Sequence, residues 1–150
     1  MQLTKFSDYA LRVLMHLAAS PEKLLSTRQI SEMHGASFNH LTKVTGWLVT
    51  EGYAESVRGR SGGLRLARDP QDINLGEVLR KLEKDQPLVE CFAAEGGSCG
   101  LASACGLSGV LWSAQEAFFQ HLDGHTLQST IDAMPRMQSF LVSMNEEINP

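Results

Sequence analysis

The break that most limits the fold of this chain is the pair Gly35-Ala36. Stretches with helical periodicity flank it on both sides, and only these two residues lie between them. Upstream, Ser26 with Gln29 three residues on fits a capping box, so a helix starts at Ser26 and turns Ile30 and Met33 inward. Gly35 is a natural left-handed stop. Downstream, Ser37 is placed to cap a helix over roughly Phe38 to Thr50, with Phe38, Leu41, Val44 and Leu48 as its inward face. Gly52 ends it. Two helices joined by so short a turn predict a helix-turn-helix.

The neighbouring segments complete the pattern. A first helix is expected from about Thr4 to Ala19, because Phe6, Tyr9, Ala10, Val13, Leu14 and Leu17 share one face. Lys5, Asp8 and Arg12 share a more polar side, and Ser20-Pro21 stops the helix. Tyr53 to Val57 and Leu64 to Ala67 read as short strands around Arg58-Gly59-Arg60-Ser61-Gly62-Gly63, a glycine-rich hairpin tip. Leu64 and Leu66 alternate inward. Asn74 and Glu77 start another helix, through about Glu83. Gln86 to Gly106 has little periodicity, and a loop of that length is usually functional. Leu107, Leu111, Ala114, Phe118 and Leu122 form an a/d-like seam on a helix long enough to pair with a second copy. Thr126 to Met134 reads as a last short helix, and the tail after Pro135 as weakly ordered. The expected class is mainly α with a small β-hairpin wing: a winged helix-turn-helix plus a long dimerisation helix. Residues 1–72 are expected to form the DNA-binding region. Residues 73–150 are expected to pack a linker helix, a cysteine-rich loop (86–106) and the dimerisation helix as one domain.

Length and composition exclude several alternatives. One hundred and fifty residues with 43% hydrophobic content predict one domain with a real core. The most apolar run, Tyr9 to Ala19, is broken by Arg12 and His16, so no membrane span is expected. Asp8 and Arg12 interrupt any secretory signal, which predicts a cytoplasmic protein. No nucleophile elbow, phosphate loop or metalloprotease motif is present, so the chain does not read as an enzyme. His16, His34, His121 and His125 read as surface or core histidines, and Met15 and Met33 as packing residues.

Charge is divided unevenly. Residues 1–68 hold nine Lys or Arg against five Asp or Glu, a net +4; residues 69–150 hold four against twelve, a net −8. A basic half suggests a polyanion partner. Ser37, Asn39, His40 and Lys43 stand near the start of the third helix, where side chains reach base edges in a major groove. Ser26, Thr27 and Arg28 start the preceding helix, where free backbone N–H groups favour phosphate. Arg58, Arg60 and Ser61 on the hairpin tip suit a narrow minor groove.

Cys91, Cys99 and Cys105 are the only cysteines and lie within 15 residues of one another. In a reducing compartment such clustering points to metal or redox chemistry rather than a disulfide framework. Structural zinc is poorly matched, because no close pair of cysteines is present. Three thiolates can hold an iron–sulfur cluster and leave one position for another ligand. Cys105 falls just before the helix near Leu107, and a helix N-terminus favours negative charge. A thiol–disulfide switch and plain packing are the other readings.

Four segments together resemble the Rrf-type transcription regulators: Met1 to Arg12, Asn39 to Val44, Val57 to Leu66, and the three-cysteine loop. The resemblance covers about residues 1–134 and is strongest to the nitric-oxide-sensing branch. It implies a homodimeric repressor on a double-stranded palindromic operator, with nitric oxide as the signal. It implies an iron–sulfur cluster, [4Fe-4S] rather than [2Fe-2S], on Cys91, Cys99, Cys105 and Asp8 of the partner subunit. Arg12, at i+4 from Asp8, would couple that ligand to the DNA-binding region. The seven-residue gap between Cys91 and Cys99 instead resembles the iron-responsive branch, which keeps iron or redox state open as the signal.

Overall fold

The computed structural model describes residues 2–59, 61–133 and 135–147. Helix α1 (Lys5–Ala19) is its axis and packs against elements from both halves of the chain. Its apolar positions Ala10, Val13, Leu14 and Leu17 are fully buried. Thr4 caps it, accepting from Ser7 N at 3.1 Å. A glutamate far along the chain caps it a second time: Glu83 Oε1 accepts from Thr4 N (3.0 Å), Thr4 Oγ1 (3.1 Å) and Ser7 Oγ. The start of α1 is thereby tied to Glu83, three residues before the cysteine loop.

Helices α2 (Thr27–Met33) and α3 (Phe38–Thr50) form the helix-turn-helix. The Ser26–Gln29 capping box is present, and Gly35 takes φ +56°, the left-handed value that favours glycine. Ser37 occupies the cap position of α3 but its side chain makes no capping bond. Leu41, Val44 and Leu48 face inward as expected; Phe38 does not. It is 42% exposed, and its ring lies 4.8 Å from the Arg28 guanidinium. Ile30 and Leu41 lie in the core, while Phe38 stays at the surface with the Arg28 cation over its ring.

The wing is an antiparallel pair, β1 (Ala54–Val57) and β2 (Gly63–Leu66), with Ala54 opposite Leu66 and Val57 opposite Gly63. Leu64 is buried and Leu66 half-buried. Leu25 and Leu64 exchange backbone hydrogen bonds (3.1 and 2.9 Å), so the wing is sewn to the segment before α2. At the tip, a Cβ on Gly62 would lie 2.3 Å from the Val57 carbonyl oxygen, so only glycine fits. Tyr53 is not a strand residue. It is fully buried, and its hydroxyl donates to Glu77 Oε1 at 3.1 Å.

Helix α4 (Leu75–Leu82) follows, with Asn74 accepting from Glu77 N at 3.0 Å. Two single 3-10 turns, Glu90–Phe92 and Ala102–Ala104, punctuate the cysteine loop. Helix α5 (Gly106–Asp123) is held through its C-terminal half: Arg80 Nη2 donates to Asp123 Oδ2 at 2.9 Å and stacks on Phe119, the one buried residue of α5. Its N-terminal half carries Leu107 (62% exposed), Val110 and Trp112 into solvent. Helix α6 (Leu127–Asp132) buries Leu127 and Ile131 against α1.

The tail after Pro135 departs from expectation. It forms α7 (Pro135–Glu147), packed on α1 and α6. Leu141 and Asn145 are its buried residues, and Asn145 bonds into α1. A polar side chain supplies much of the anchoring, which is why apolar periodicity did not mark this helix. Among the described residues, no helix is long and apolar enough to cross a membrane.

Candidate nucleic-acid interface and metal centre

The structure sorts the cations of the basic half into engaged and free. Arg65 is paired with Glu55 across the wing. Arg68 donates to the carbonyls of Gly52 (2.9 Å) and Glu51 (3.0 Å), closing the end of α3. Arg12 is held by Asp8. Lys43 on α3 and Arg58 on the wing are exposed and enter no ion pair among the described residues. Arg60 lies outside the described residues. Exposed cations on a recognition helix and a wing are the arrangement that meets phosphate.

Around α3 the predicted contact residues take different roles. Ser37, Asn39 and Lys43 are exposed, as is Ser61 on the wing. His40 is half-buried and packs back on α1, 5.4 Å from the Tyr9 ring and 6.2 Å from Phe6. Ser26 spends its oxygen on Gln29 N, and Thr27 Oγ1 lies 3.3 Å from Thr45 Oγ1, fixing α2 on α3. Arg28 is exposed, with Phe38 beneath it.

All three cysteines are free thiols. Cys91 lies in the first 3-10 turn and is half-buried, Cys99 is exposed, and Cys105 is the N-cap of α5 and half-buried. A residue that sequence reasoning passed over shapes this loop. Glu90 accepts from Ser98 N (2.8 Å) and Ser98 Oγ (2.9 Å), pinching residues 90–98 into one turn beside Cys91 and Cys99. Those two bonds hold its carboxyl below the usual glutamate range. Gly97 makes the approach possible, since a Cβ there would meet Glu90 at 2.6 Å. Gly97 and the Glu90–Ser98 spacing were the available signals.

Asp8 sits on α1, half-exposed, gripping Arg12 in a two-point bond: Arg12 Nε to Oδ1 at 3.0 Å and Nη2 to Oδ2 at 2.8 Å. The pair lines a largely apolar pocket of about 530 Å³ between α1, His34, Leu75, Leu127 and Met137. Among the described residues, no three His, Cys, Asp or Glu side chains are grouped as metal ligands. The donor chemistry nevertheless fits an iron–sulfur cluster: three reduced thiols on one loop, none of them fully buried or cross-linked. One further ligand would have to come from outside the loop.

Behind Arg12 lie two histidines. His16 is fully buried, its Nδ1 2.7 Å from Asn145 Oδ1 and its Nε2 2.9 Å from His34 Nε2. Burial pushes both imidazoles below the ordinary histidine range; the Asn145 bond partly offsets this for His16, and the charge of Arg12 adds to it for His34.

Comparison with known proteins identifies the family. Residues 3–133 match the Rrf2 family, described as an iron-dependent transcriptional regulator. The chain is 48% identical over 132 residues to the HTH-type transcriptional regulator NsrR of Bacillus subtilis, covering 87% of this chain and 90% of that protein. It is 46% identical over 132 residues to NsrR of Shouchella clausii, covering 87% and 89%. Among solved structures, IscR of T. potens superposes with a TM-score of 0.68 at 26% identity, over 89% of this chain and 88% of that one. The global cysteine regulator CymR of B. subtilis shares the fold, with a TM-score of 0.68 at 23% identity over 89% and 98%. The resemblance read from the wing and the cysteine loop is confirmed, and the chain belongs to the Rrf2 family of DNA-binding transcriptional regulators.

Proposed function

We propose that this regulator is a homodimeric repressor that binds a palindromic operator and loses it on exposure to nitric oxide. The observation that supports the reading is the presence in one chain of three free thiols on one loop and of a carboxylate, Asp8, on the helix that supports the helix-turn-helix. In this reading Cys91, Cys99 and Cys105 hold an iron–sulfur cluster, [4Fe-4S] by family resemblance, and Asp8 of the partner subunit supplies the fourth ligand. Such a cluster supplies an iron site with a hard, labile oxygen ligand, open to nitric oxide. The chain's own residues do the rest. Lys43 and Arg58 meet phosphate, and Asn39 reaches base edges in the major groove. The seam of α5 that begins at Leu107, with the exposed Val110 beside it, pairs with its copy and sets the two recognition helices about 34–36 Å apart. A small change in the seat of α1 then spoils both half-sites together.

The test is native mass spectrometry of protein isolated without oxygen, with nitric oxide added stepwise and binding followed on a duplex selected by the protein from random-sequence DNA. The expected result is a dimer with one cluster per chain, mass adducts of nitric oxide at low equivalents, and parallel loss of the duplex. A dimer with zinc, or a metal-free dimer with an internal disulfide, refutes it. The seven-residue gap between Cys91 and Cys99 supports a second reading, iron supply as the signal. Release of DNA by an iron chelator, with no response to nitric oxide, would select that one.

A further inference from the structure

A single file of polar groups crosses the molecule from the Asp8 end of α1 to α7. Asp8 holds the Arg12 guanidinium; Arg12 Nη1 lies 3.5 Å from His34 Nδ1, a long contact; His34 Nε2 lies 2.9 Å from His16 Nε2; His16 Nδ1 lies 2.7 Å from Asn145 Oδ1. Asn145 Nδ2 donates to His16 O (3.2 Å) and Ser20 Oγ (2.9 Å). Among the described residues, no buried side-chain polar atom is left without a partner.

The protons in this file have one consistent arrangement. The His16 carbonyl can only accept, so the Asn145 nitrogen must face it and the Asn145 oxygen must face His16 Nδ1. His16 Nδ1 therefore carries a hydrogen, and neutral His16 accepts at Nε2. His34 must then donate from Nε2, which leaves its Nδ1 as a lone pair toward Arg12, a group that can only donate. Every link has a fixed direction, from Arg12 to His34 to His16 to Asn145. Turning Asn145 or His16 forces its neighbour to turn or leaves a buried donor unpaired.

The ends of the file are significant. His34 is the C-cap of α2, directly before the Gly35-Ala36 turn into the recognition helix, and Asn145 is the polar anchor of α7. We propose that His34 is the positioning residue through which the Asp8–Arg12 pair governs the seating of α2 and α7. When Asp8 leaves Arg12 for another partner, the guanidinium loses its orienting carboxylate, and the file behind it loses its first fixed donor. The regulatory meaning of this relay rests on the reading of Asp8 as a cluster ligand; the relay itself does not.

The test uses the full metal-free, reduced chain labelled with nitrogen-15. Long-range proton–nitrogen spectra at pH 7.5 should show His16 protonated at Nδ1 and His34 at Nε2; the opposite tautomer on either ring overturns the proposal. Asp8→Ala should shift both rings and the Asn145 side-chain amide, and no shift at Asn145 overturns it. His34→Gln keeps an acceptor toward Arg12 and a donor toward His16, so the Asp8→Ala shift at Asn145 should persist. His34→Leu keeps the bulk and neither bond, so that shift should vanish; its survival overturns the proposal. Should His34→Leu fail to fold, the wild-type tautomers and the Asp8→Ala shift decide alone. A protein that carries a cluster and answers nitric oxide, yet shows no Asp8→Ala shift, sinks the relay and leaves the proposed function standing. A protein without any cluster that shows the relay does the reverse.

Discussion

Asn145→Ala tests whether a single polar residue secures the C-terminal helix. Asn145 is 1% exposed, accepts from His16 Nδ1, and donates to His16 O and Ser20 Oγ. Truncation leaves the His16 N–H facing no acceptor in a buried site, a cost of about 1–3 kcal/mol. Losing the bond to Ser20 adds about 1 kcal/mol net. The expected loss is therefore about 2–4 kcal/mol. For a chain of this size each kcal/mol moves the midpoint by about 2–4 °C, so a fall on the order of 10 °C is expected. Thermal and urea unfolding of the reduced, metal-free protein, followed by circular dichroism, reads the total. Amide exchange over 135–147 separates global loss from release of α7 alone. Asn145→Asp gives the control: its oxygen still accepts from His16, and the carboxylate should raise the His16 pKa, so its deficit should shrink as pH falls. A midpoint within about 1 °C of wild type for Asn145→Ala, with α7 amides equally protected, would refute the anchoring argument.

Three further outcomes are expected. His16 and His34 both have folded-state pKa values below their unfolded values, so their share of stability is present above the unfolded histidine range near pH 6.5 and is lost as pH falls through the folded values; the urea midpoint should drop as pH falls below about 6.5, and His34→Gln should flatten that drop, an unchanged slope counting against it. Lys43→Ala and Arg58→Ala should each weaken DNA binding across all sequences and lower the salt-dependence slope by about 1; a binding curve with the wild-type slope removes that residue from the interface. Leu107→Glu with Val110→Glu places two charges on one exposed face of α5 and should give a monomer in sedimentation; a dimer of wild-type affinity would exclude that face.

What the sequence made legible follows from the physics that each element uses. α1, α2, α3 and the wing are built on apolar period and on caps that announce themselves: Ser26 with Gln29, Gly35, and the glycines of the tip. Those signals are local, so they could be read without a structure. The misses share the opposite property. Phe38 sits at an inward period position, yet Arg28 from another helix draws it to the surface. Helix α7 buries only Leu141 and Asn145, and its decisive bond spans 129 residues to His16. Glu83 caps a helix 79 residues away, and an acidic residue in a surface-like run gives no hint of that.

The candidate site divides along the same line. The thiols were visible because three cysteines within 15 residues are rare in a chain with no others. Glu90 was not, because its bond to Ser98 depends on how the loop turns at Gly96 and Gly97. Asp8 could be explained in the sequence by its i+4 partner alone, and in a single chain that is the partner it keeps. A carboxylate whose proposed iron site lies on another copy is held, in its own chain, by a resting partner beside an apolar pocket. Arg12 fills that role, and it also touches the histidine that caps α2. The exchange of Asp8 between Arg12 and the proposed iron site across the dimer would thus act on the DNA-binding helices through a contact already in place, with no need for a large rearrangement of the fold.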